Sequence, residues 1–320
     1  MFLCGSKRIN ERETSPVIKI GTRGSKLALW QADYVAGRLK ENGISTEIVI
    51  IKTTGDKIKD KPLYTFGGKG LFIKEIEEAL IDKRVDIAVH SMKDVPAALA
   101  EGTKIAAYLT RELPFDAFVS RKYKSIDELP DGSVIGTSSL RRLSQLILYK
   151  PNLKIKTLRG NIQTRLKKLE NGMYDGIIVA AAAFRRLNIA DKITEILGVD
   201  KMIPASTQGI IGIQTRNEDK TKNSIKFLND KEAEIAAAEE RSFVNSFGGG
   251  CHLPVAAYLE HKGKSGKFYA FLSDIDGKHY IKRIYDLENK DAKGIGLAAY
   301  LEFKSMGAQE LLTSRHLNSK

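Results

Sequence analysis

The chain has 320 residues, of which 42% are hydrophobic, and 52 Lys+Arg against 39 Asp+Glu give it a formal net charge of +13. At roughly 100 to 200 residues per domain, this length predicts two or three domains that each bury a core, which excludes a disordered or fibrous protein. The longest uncharged apolar stretch, Gly176 to Phe184, has 9 residues, about half of the ~18 a membrane-spanning helix needs, so no transmembrane segment is expected. The first residues, MFLCGSKRINERETSP, carry charges at Lys7, Arg8, Glu11, Arg12 and Glu13 before any apolar stretch develops. No secretory signal is expected there, and a cytoplasmic location follows.

Taken in chain order, short β-branched runs alternate with amphipathic helices, the pattern of α/β domains with largely parallel sheets. Val17 to Ile20 reads as a strand; after the turn Gly21 to Ser25, the positions Leu27, Trp30, Tyr34, Val35 and Leu39 recur at helical spacing, and Gly43 follows the helix end. Thr46 to Lys52 returns as a strand. The turn Gly67-Gly68-Lys69-Gly70 opens a helix through Leu80, and Val85 to His90 is a continuous apolar strand suited to a buried parallel position. Ser91 to Pro96 is then a loop.

The unit recurs. Strand Ser133 to Gly136 leads through Thr137-Ser138-Ser139 into a helix from Leu140 to Tyr149; strand Lys154 to Leu158 leads through Arg159-Gly160-Asn161 into a helix to Leu169; strand Gly176 to Ala180 precedes a helix ending near Leu187. The strings IGTRGSKLALWQA, from Ile20, and IGTSSLRRLSQLI, from Ile135, share a start and a strand-turn-helix context. This echo predicts two domains of like topology. From Asp219 the character changes: Lys231 to Phe247 is a helix rich in Ala and Glu, stopped by Gly248 to Gly250. Strands around Val255 to Leu259, Lys267 to Ser273 and Tyr280 to Tyr285 and a helical tail from about Asp291 form a third, smaller α/β domain.

Two cysteines, Cys4 and Cys251, are too few for a disulfide framework or a four-thiolate zinc site. The five histidines lack metal-ligand spacing, so no metal is expected. Four strand-to-helix turns set basic side chains beside a helix start: Arg23 with Ser25, Lys69 among glycines, Arg141-Arg142 after Ser138-Ser139, and Arg159 followed by Arg165. Unpaired backbone N–H groups there attract anions, and guanidinium groups add bidentate bonds to carboxylates or phosphates. Any one such turn is more often an ordinary cap; repetition at the carboxyl ends of strands is what favours small-anion pockets. The glycine run around Lys69 lacks the P-loop pattern, so a nucleotide is not favoured. Asp94 follows a buried strand and sits beside Lys93, where a carboxylate either faces a cleft or caps a turn. Cys251 follows three glycines that let a bulky group approach closely, although a free cysteine is more often a buried apolar residue.

Together the strings IGTRGSKLALWQA, GGKGLFIKEIE, DIAVHSMKDVP, RELPFDAF, GTSSLRR, LRGNIQTRL and GGGCHLPVAAY resemble the porphobilinogen deaminase family, over nearly the whole chain from about Ile18. The resemblance implies two domains similar to type II periplasmic binding proteins, with mixed, largely parallel sheets, plus a smaller C-terminal α/β domain. It places an N-terminal extension at 1–16, domain 1 at 17–109 with 210–229 returning to it, domain 2 at 110–209, and a cofactor-attachment domain at 230–320. It also implies a dipyrromethane cofactor bound through a thioether to Cys251. On it four porphobilinogen molecules are joined head to tail with release of ammonia, and the linear tetrapyrrole is then hydrolysed off.

Each pyrrole carries an acetate and a propionate, which accounts for the basic turns. By family resemblance, Asp94 is catalytic, stabilising the azafulvene cation left when ammonia departs. Lys93, Thr137, Ser139, Arg141 and Arg142 join Cys251 in binding the cofactor. Arg23, Ser25, Gln31, Lys69, Phe72, Arg159, Arg165, Arg186, Gln208 and Gly209 bind porphobilinogen and the growing chain. The sequence departs from the family pattern at Thr65, where Lys is common, at Thr207, where Gly is usual, at Gln214, where Glu is usual, and in NSFGGGC. A monomer without nucleic-acid or membrane partner is expected by analogy. The rival readings are a non-catalytic polyanion-binding protein and a nucleic-acid binder; the latter is weakened because aromatics do not interleave with the basic turns. Cys4 has no expected role.

Overall fold

The computed structural model describes residues 17–57, 73–219, 221–249, 253–262, 265–288 and 291–313. Its first half alternates strands and helices: β1 (Ile18–Thr22), α1 (Lys26–Glu41), β2 (Thr46–Ile50), α2 (Thr54–Lys57), α3 (Lys74–Ile81), β3 (Ile87–Ser91) and β4 (Thr103–Tyr108). The second unit holds β5 (Asp116–Ser120), β6 (Val134–Gly136), α4 (Leu140–Tyr149), β7 (Lys154–Lys156), α5 (Ile162–Glu170), β8 (Gly176–Ala180), α6 (Ala181–Arg186) and β9 (Glu195–Leu197). The chain then returns with β10 (Ile211–Arg216) and α7 (Thr221–Ile225). The last unit is α8 (Lys231–Ser246), β11 (Val255–Lys262), β12 (Ser265–Ser273), β13 (Tyr280–Asp286), α9 (Ile295–Ser305) and α10 (Ala308–Thr313).

Two five-stranded sheets share one strand order. The first runs β2-β1-β3-β10-β4 and the second β7-β6-β8-β5-β9. In each, three parallel strands are followed by one antiparallel strand, β10 beside β3 and β5 beside β8. This is the α/β architecture with two like sheets that the sequence predicts. Under the shared order β1 and β6 are equivalent, so the echo between IGTRGSKLALWQA and IGTSSLRRLSQLI falls on matching strand-turn-helix units. The central strands β3 and β8 are buried almost throughout, because helices or loops cover both faces of a parallel strand, which is why they read as continuous apolar runs. The third unit is an antiparallel sheet, β11-β12-β13, packed on α8, α9 and α10 around Phe243, Phe268 and Phe303.

Several predicted bounds shift. The strand expected to reach Lys52 ends at Ile50, that expected to reach Leu158 ends at Lys156, and that expected to start at Val85 starts at Ile87. The pairing with β1 nevertheless runs on past two of these ends, Ile51 N donating to Thr22 O at 2.8 Å and Asp86 N to Lys19 O at 2.8 Å. The loop Ser91 to Pro96 contains a short 3₁₀ turn, Met92–Asp94, and the C-terminal helix begins at Ile295 rather than near Asp291. The turn Gly67 to Gly70 lies outside the described residues.

Two stretches, 109–115 and 198–210, carry the chain between the sheets and lie side by side. Leu109 N donates to Ile211 O at 2.9 Å and Glu112 N to Gly209 O at 3.1 Å. Gly209 has φ +92°, and a Cβ there would stand 2.2 Å from Glu112 O, so only glycine fits this crossing.

Candidate active site

The site forms where the parallel strands of both sheets end, the place where α/β sheets leave a crevice. On the first sheet, β1 delivers Arg23 and Ser25 to the start of α1. Ser25 caps that helix, its hydroxyl accepting from Ala28 N at 3.3 Å. One turn on, buried Gln31 donates from its amide to Ser91 Oγ at 2.8 Å at the end of β3. A cavity of about 60 Å³ is lined here by Arg23, Ser25, Gln31, His90, Ser91 and Asp94, with Ile73 and Ile76 of α3 on its apolar side. Asp94 itself is exposed to solvent, on the 3₁₀ turn that follows β3.

His90 and Ser91 are wall residues that the sequence reading assigned no role. His90 Nε2 lies 2.9 Å from Gln214 Oε1, and Gln214 Nε2 donates to Glu77 Oε1 at 2.7 Å and Thr103 Oγ1 at 2.8 Å. The amide is therefore oriented by two acceptors, which makes Nε2 of His90 the protonated nitrogen. Burial pulls the imidazole down to about 4, against weaker support from Gln214 and Asp94, so His90 is neutral near pH 7.

On the second sheet, β6 delivers Thr137 and Ser139 to the start of α4. Ser139 caps α4 by accepting from Arg142 N at 3.4 Å, and Thr137 Oγ1 accepts from Ser139 N at 3.2 Å. The two arginines that follow turn inward onto Asp116 of β5, which is wholly buried. Arg142 donates to Oδ1 from Nε at 2.9 Å and from Nη2 at 2.6 Å, and Arg141 Nη2 pairs with Oδ2 at 2.8 Å. Burial alone would raise the Asp116 carboxyl, but Arg141, Arg142 and the Gln208 amide outweigh it and hold it at about 2.

The remaining cations gather around the same point. Arg165 donates to Gly160 O at 2.8 Å, and buried Nη1 of Arg159 has no hydrogen-bond partner. Burial and then repulsion from Arg142 pull Arg165 down to about 10, with Asp94 opposing and Arg159 adding to the fall. Lys93, on the same turn as Asp94, is pulled down to about 8 by burial, with Asp94 and Asp116 opposing and Arg142 and Arg141 reinforcing the fall. Five cations thus face two carboxylates, Asp94 and Asp116. Crowded cations and an orphaned guanidinium N–H are what a polyanionic group relieves when it binds, so these residues fit a carboxylate-rich cofactor and substrate.

Asp94 belongs to both assemblies: it lines the cavity with Arg23, Ser25 and Gln31, and it faces Lys93 and Arg165 of the cation cluster. Gln208, Gly209 and Arg186 lie at the crossing between the sheets, where Gln208 accepts from Lys93 Nζ at 3.3 Å. Arg186 donates to Gly209 O at 2.6 Å and stands 5.9 Å over the Trp30 ring. Of the sequence-predicted residues among the described ones, Arg23, Ser25, Gln31 and Asp94 share the cavity, and Lys93, Arg141, Arg142, Arg159 and Arg165 share the cation cluster, while Thr137 and Ser139 lie at the start of α4 and Arg186, Gln208 and Gly209 at the crossing between the sheets. Cys251, Lys69 and Phe72 lie outside the described residues, as do Cys4 and Thr65. Among the described residues, no helix is long and apolar enough to cross a membrane, and no group of three or more His, Cys, Asp or Glu could hold a metal.

Residues 18–224 match the family described as porphobilinogen deaminase, dipyromethane cofactor binding domain, and residues 235–305 match its C-terminal domain. The chain belongs to the porphobilinogen deaminase family. A porphobilinogen deaminase of Maridesulfovibrio salexigens is 46% identical over 298 residues, covering 92% of this chain and 97% of the relative. One of Francisella tularensis subsp. holarctica is 45% identical over 299 residues, covering 93% and 99%. Solved structures similar to the chain include the methionine binding protein MetQ, with TM-score 0.43, 17% identity, and coverage of 69% of this chain and 93% of that one. Immunogenic lipoprotein A from Vibrio vulnificus gives a TM-score of 0.42 and 18% identity, with coverage of 69% and 99%. The porphobilinogen deaminase motifs around Asp94, Arg141 and Arg165 are those that meet at the cleft.

Besides His90 and Ser91, Asp116 and Glu240 carry no role in the sequence analysis. Asp116 stands in a quoted motif, and its signal was a carboxylate opening the apolar strand DAFVS, where a buried charge demands partners. Glu240, in the run AAAEE of the predicted Ala- and Glu-rich helix, is wholly buried.

Proposed function

We propose that this chain condenses four porphobilinogen molecules head to tail, with loss of four ammonia molecules, into the linear tetrapyrrole hydroxymethylbilane. The observation that carries the reading is the placement of Asp94, among the described residues the one carboxylate shared by a small cavity and a crowd of cations. The dipyrromethane cofactor, joined by a thioether to Cys251, supplies a nucleophilic pyrrole carbon as primer when bound. Lys93, Thr137, Ser139, Arg141 and Arg142 hold its carboxylates. Arg23, Ser25 and Gln31 receive the acetate and propionate of incoming porphobilinogen beside Asp94, and Arg159 and Arg165 take up carboxylates as the chain grows.

Asp94 stabilises the positive charge that develops as ammonia leaves porphobilinogen, and afterwards takes the pyrrole proton. A carboxylate fixed at a forming cation lowers the barrier because it needs no reorganisation at the moment of reaction. Gln208, Gly209 and Arg186 bind the growing chain from the crossing between the sheets, and Lys69 and Phe72 from the segment before α3. The division into domains at 17–109 with 210–229, 110–209 and 230–320 belongs to this reading, as do a cytoplasmic location, a monomeric state and the absence of nucleic-acid or membrane partners. Light scattering checks the monomer.

The test is an intact mass under denaturing conditions on protein from a tetrapyrrole-making host, before and after brief exposure to porphobilinogen. An excess of two pyrrole units, lost in Cys251→Ser, and a ladder of further additions are expected. A bare polypeptide mass that porphobilinogen leaves unchanged overturns the proposal and favours a polyanion-binding protein. In Asp94→Asn the fold persists and turnover falls by about 10²-fold or more; near-normal kinetics defeat the assignment.

A further inference from the structure

We propose that Asp116 is a positioning residue of this site, a buried counter-ion that aims Arg141 and Arg142 and, through Gln208, sets Lys93 beside Asp94. The inference rests on the tetrapyrrole reading above. Arg142 spends Nε and Nη2 on Asp116 Oδ1 and Nη1 on Ile178 O at 3.0 Å, so its guanidinium plane has one orientation. Arg141 is held by Asp116 Oδ2 and by Ile203 O, to which Nη1 donates at 2.7 Å. Both arginines and the carboxylate are buried, where an ion pair keeps nearly all of its directional preference.

The same carboxylate reaches the catalytic turn by one intermediary. Gln208 Nε2 donates to Asp116 Oδ1 at 3.2 Å and to Pro114 O at 2.7 Å. Two acceptors on one side force the amide oxygen to the other, where Lys93 Nζ donates to it at 3.3 Å. Asp116 sits on β5, Gln208 on the returning crossing and Lys93 on the turn after β3, so this relay ties the second sheet to the first through the hinge. The charged groups facing Lys93 are Asp94 on its own turn, Arg141 and Arg142 from α4, and Asp116 from β5. Removing the Asp116 charge leaves two repelling guanidinium groups and one carboxylate to act on the amine. Lys93 then gives up its proton more readily and holds a carboxylate less well.

The experiment uses the full chain from a tetrapyrrole-making host, with Asp116→Asn and Gln208→Met. Acetylation of Lys93 is followed against pH by peptide mass, intact mass gives the fraction carrying two pyrrole units, and circular dichroism checks the fold. In Asp116→Asn the labelling midpoint of Lys93 is expected to move down by about one pH unit, with a several-fold lower loaded fraction. Gln208→Met, which keeps the ion pairs and removes the relay, is expected to move the midpoint in the same direction by less. Unchanged midpoints with a lowered melting temperature overturn the proposal, because a merely structural carboxylate does not tune Lys93. Should Asp116→Asn not fold, the Gln208→Met midpoint decides alone. A parent chain that never consumes porphobilinogen defeats the function reading, while the labelling result still decides whether Asp116 governs Lys93.

Discussion

Glu240→Ala is expected to be among the most destabilising single changes in the molecule. The carboxylate is wholly buried in α8 and receives Arg111 Nη1 at 2.5 Å, Arg111 Nη2 at 3.2 Å, Thr207 N at 2.6 Å and Leu259 N at 2.8 Å. It therefore joins both hinge crossings to the C-terminal sheet. Removing one partner of a buried ion pair costs about 3–5 kcal/mol, and each orphaned amide adds about 1–3 kcal/mol if water does not replace the acceptor. The alanine void admits some water, so the terms do not add fully, and about 4 kcal/mol is the expected loss. Urea unfolding measures it, with the single tryptophan, Trp30, reporting the first sheet unit and circular dichroism reporting the whole chain. A double-mutant cycle with Arg111→Leu and Glu240→Leu is expected to give a coupling of about 2 kcal/mol or more. A loss under about 1 kcal/mol in Glu240→Ala, or additive behaviour in the cycle, refutes the claim that this carboxylate clamps the hinge.

Other outcomes follow from single residues. Thr207 has φ +59° and is buried, a left-handed conformation that costs a non-glycine residue roughly 1–2 kcal/mol. Thr207→Gly should therefore unfold at higher urea than Thr207→Ala, by about 0.5–1 kcal/mol after glycine's extra chain entropy is subtracted; the reverse order shows that no strain is stored there. His90 is held at about 4 by burial against about 6.5 when unfolded. The unfolded chain thus binds this proton first, so the stability is fully present above pH 6.5 and is lost as pH falls toward 4, by about 3 kcal/mol in all. His90→Gln should flatten the urea midpoint between pH 7 and pH 4.5, and an undiminished slope assigns the acid sensitivity elsewhere.

Much of the fold was legible because its signals are local. The helix Leu140–Tyr149 and the strand Gly176–Ala180 have the bounds the sequence predicts. The strands β4, β5, β9 and β10 were not assigned. β9 has three residues, and β10 owes its place to ladders with β3 and β4 about a hundred residues earlier in the chain, a pairing that no window of sequence contains. Thr207 and Gln214 were visible as departures from the family pattern, but their meaning was not. The first is a backbone angle, and the second is the acceptor that fixes the tautomer of His90.

The sequence by itself determined the alternation of elements, the twofold echo and the residue types of the site, since helix caps, buried strands and basic turns are each set by neighbours within a few positions. Tertiary structure alone decided which charges meet. Arg141 and Arg142 read as ligands for an anion, yet they also share a buried partner in Asp116; Glu240 is one Glu in an Ala- and Glu-rich helix, yet it is buried against Arg111 of the crossing between the sheets. Coulomb energy depends on distance and on exclusion from water, and neither exists for these pairs until strands far apart in the chain are laid side by side.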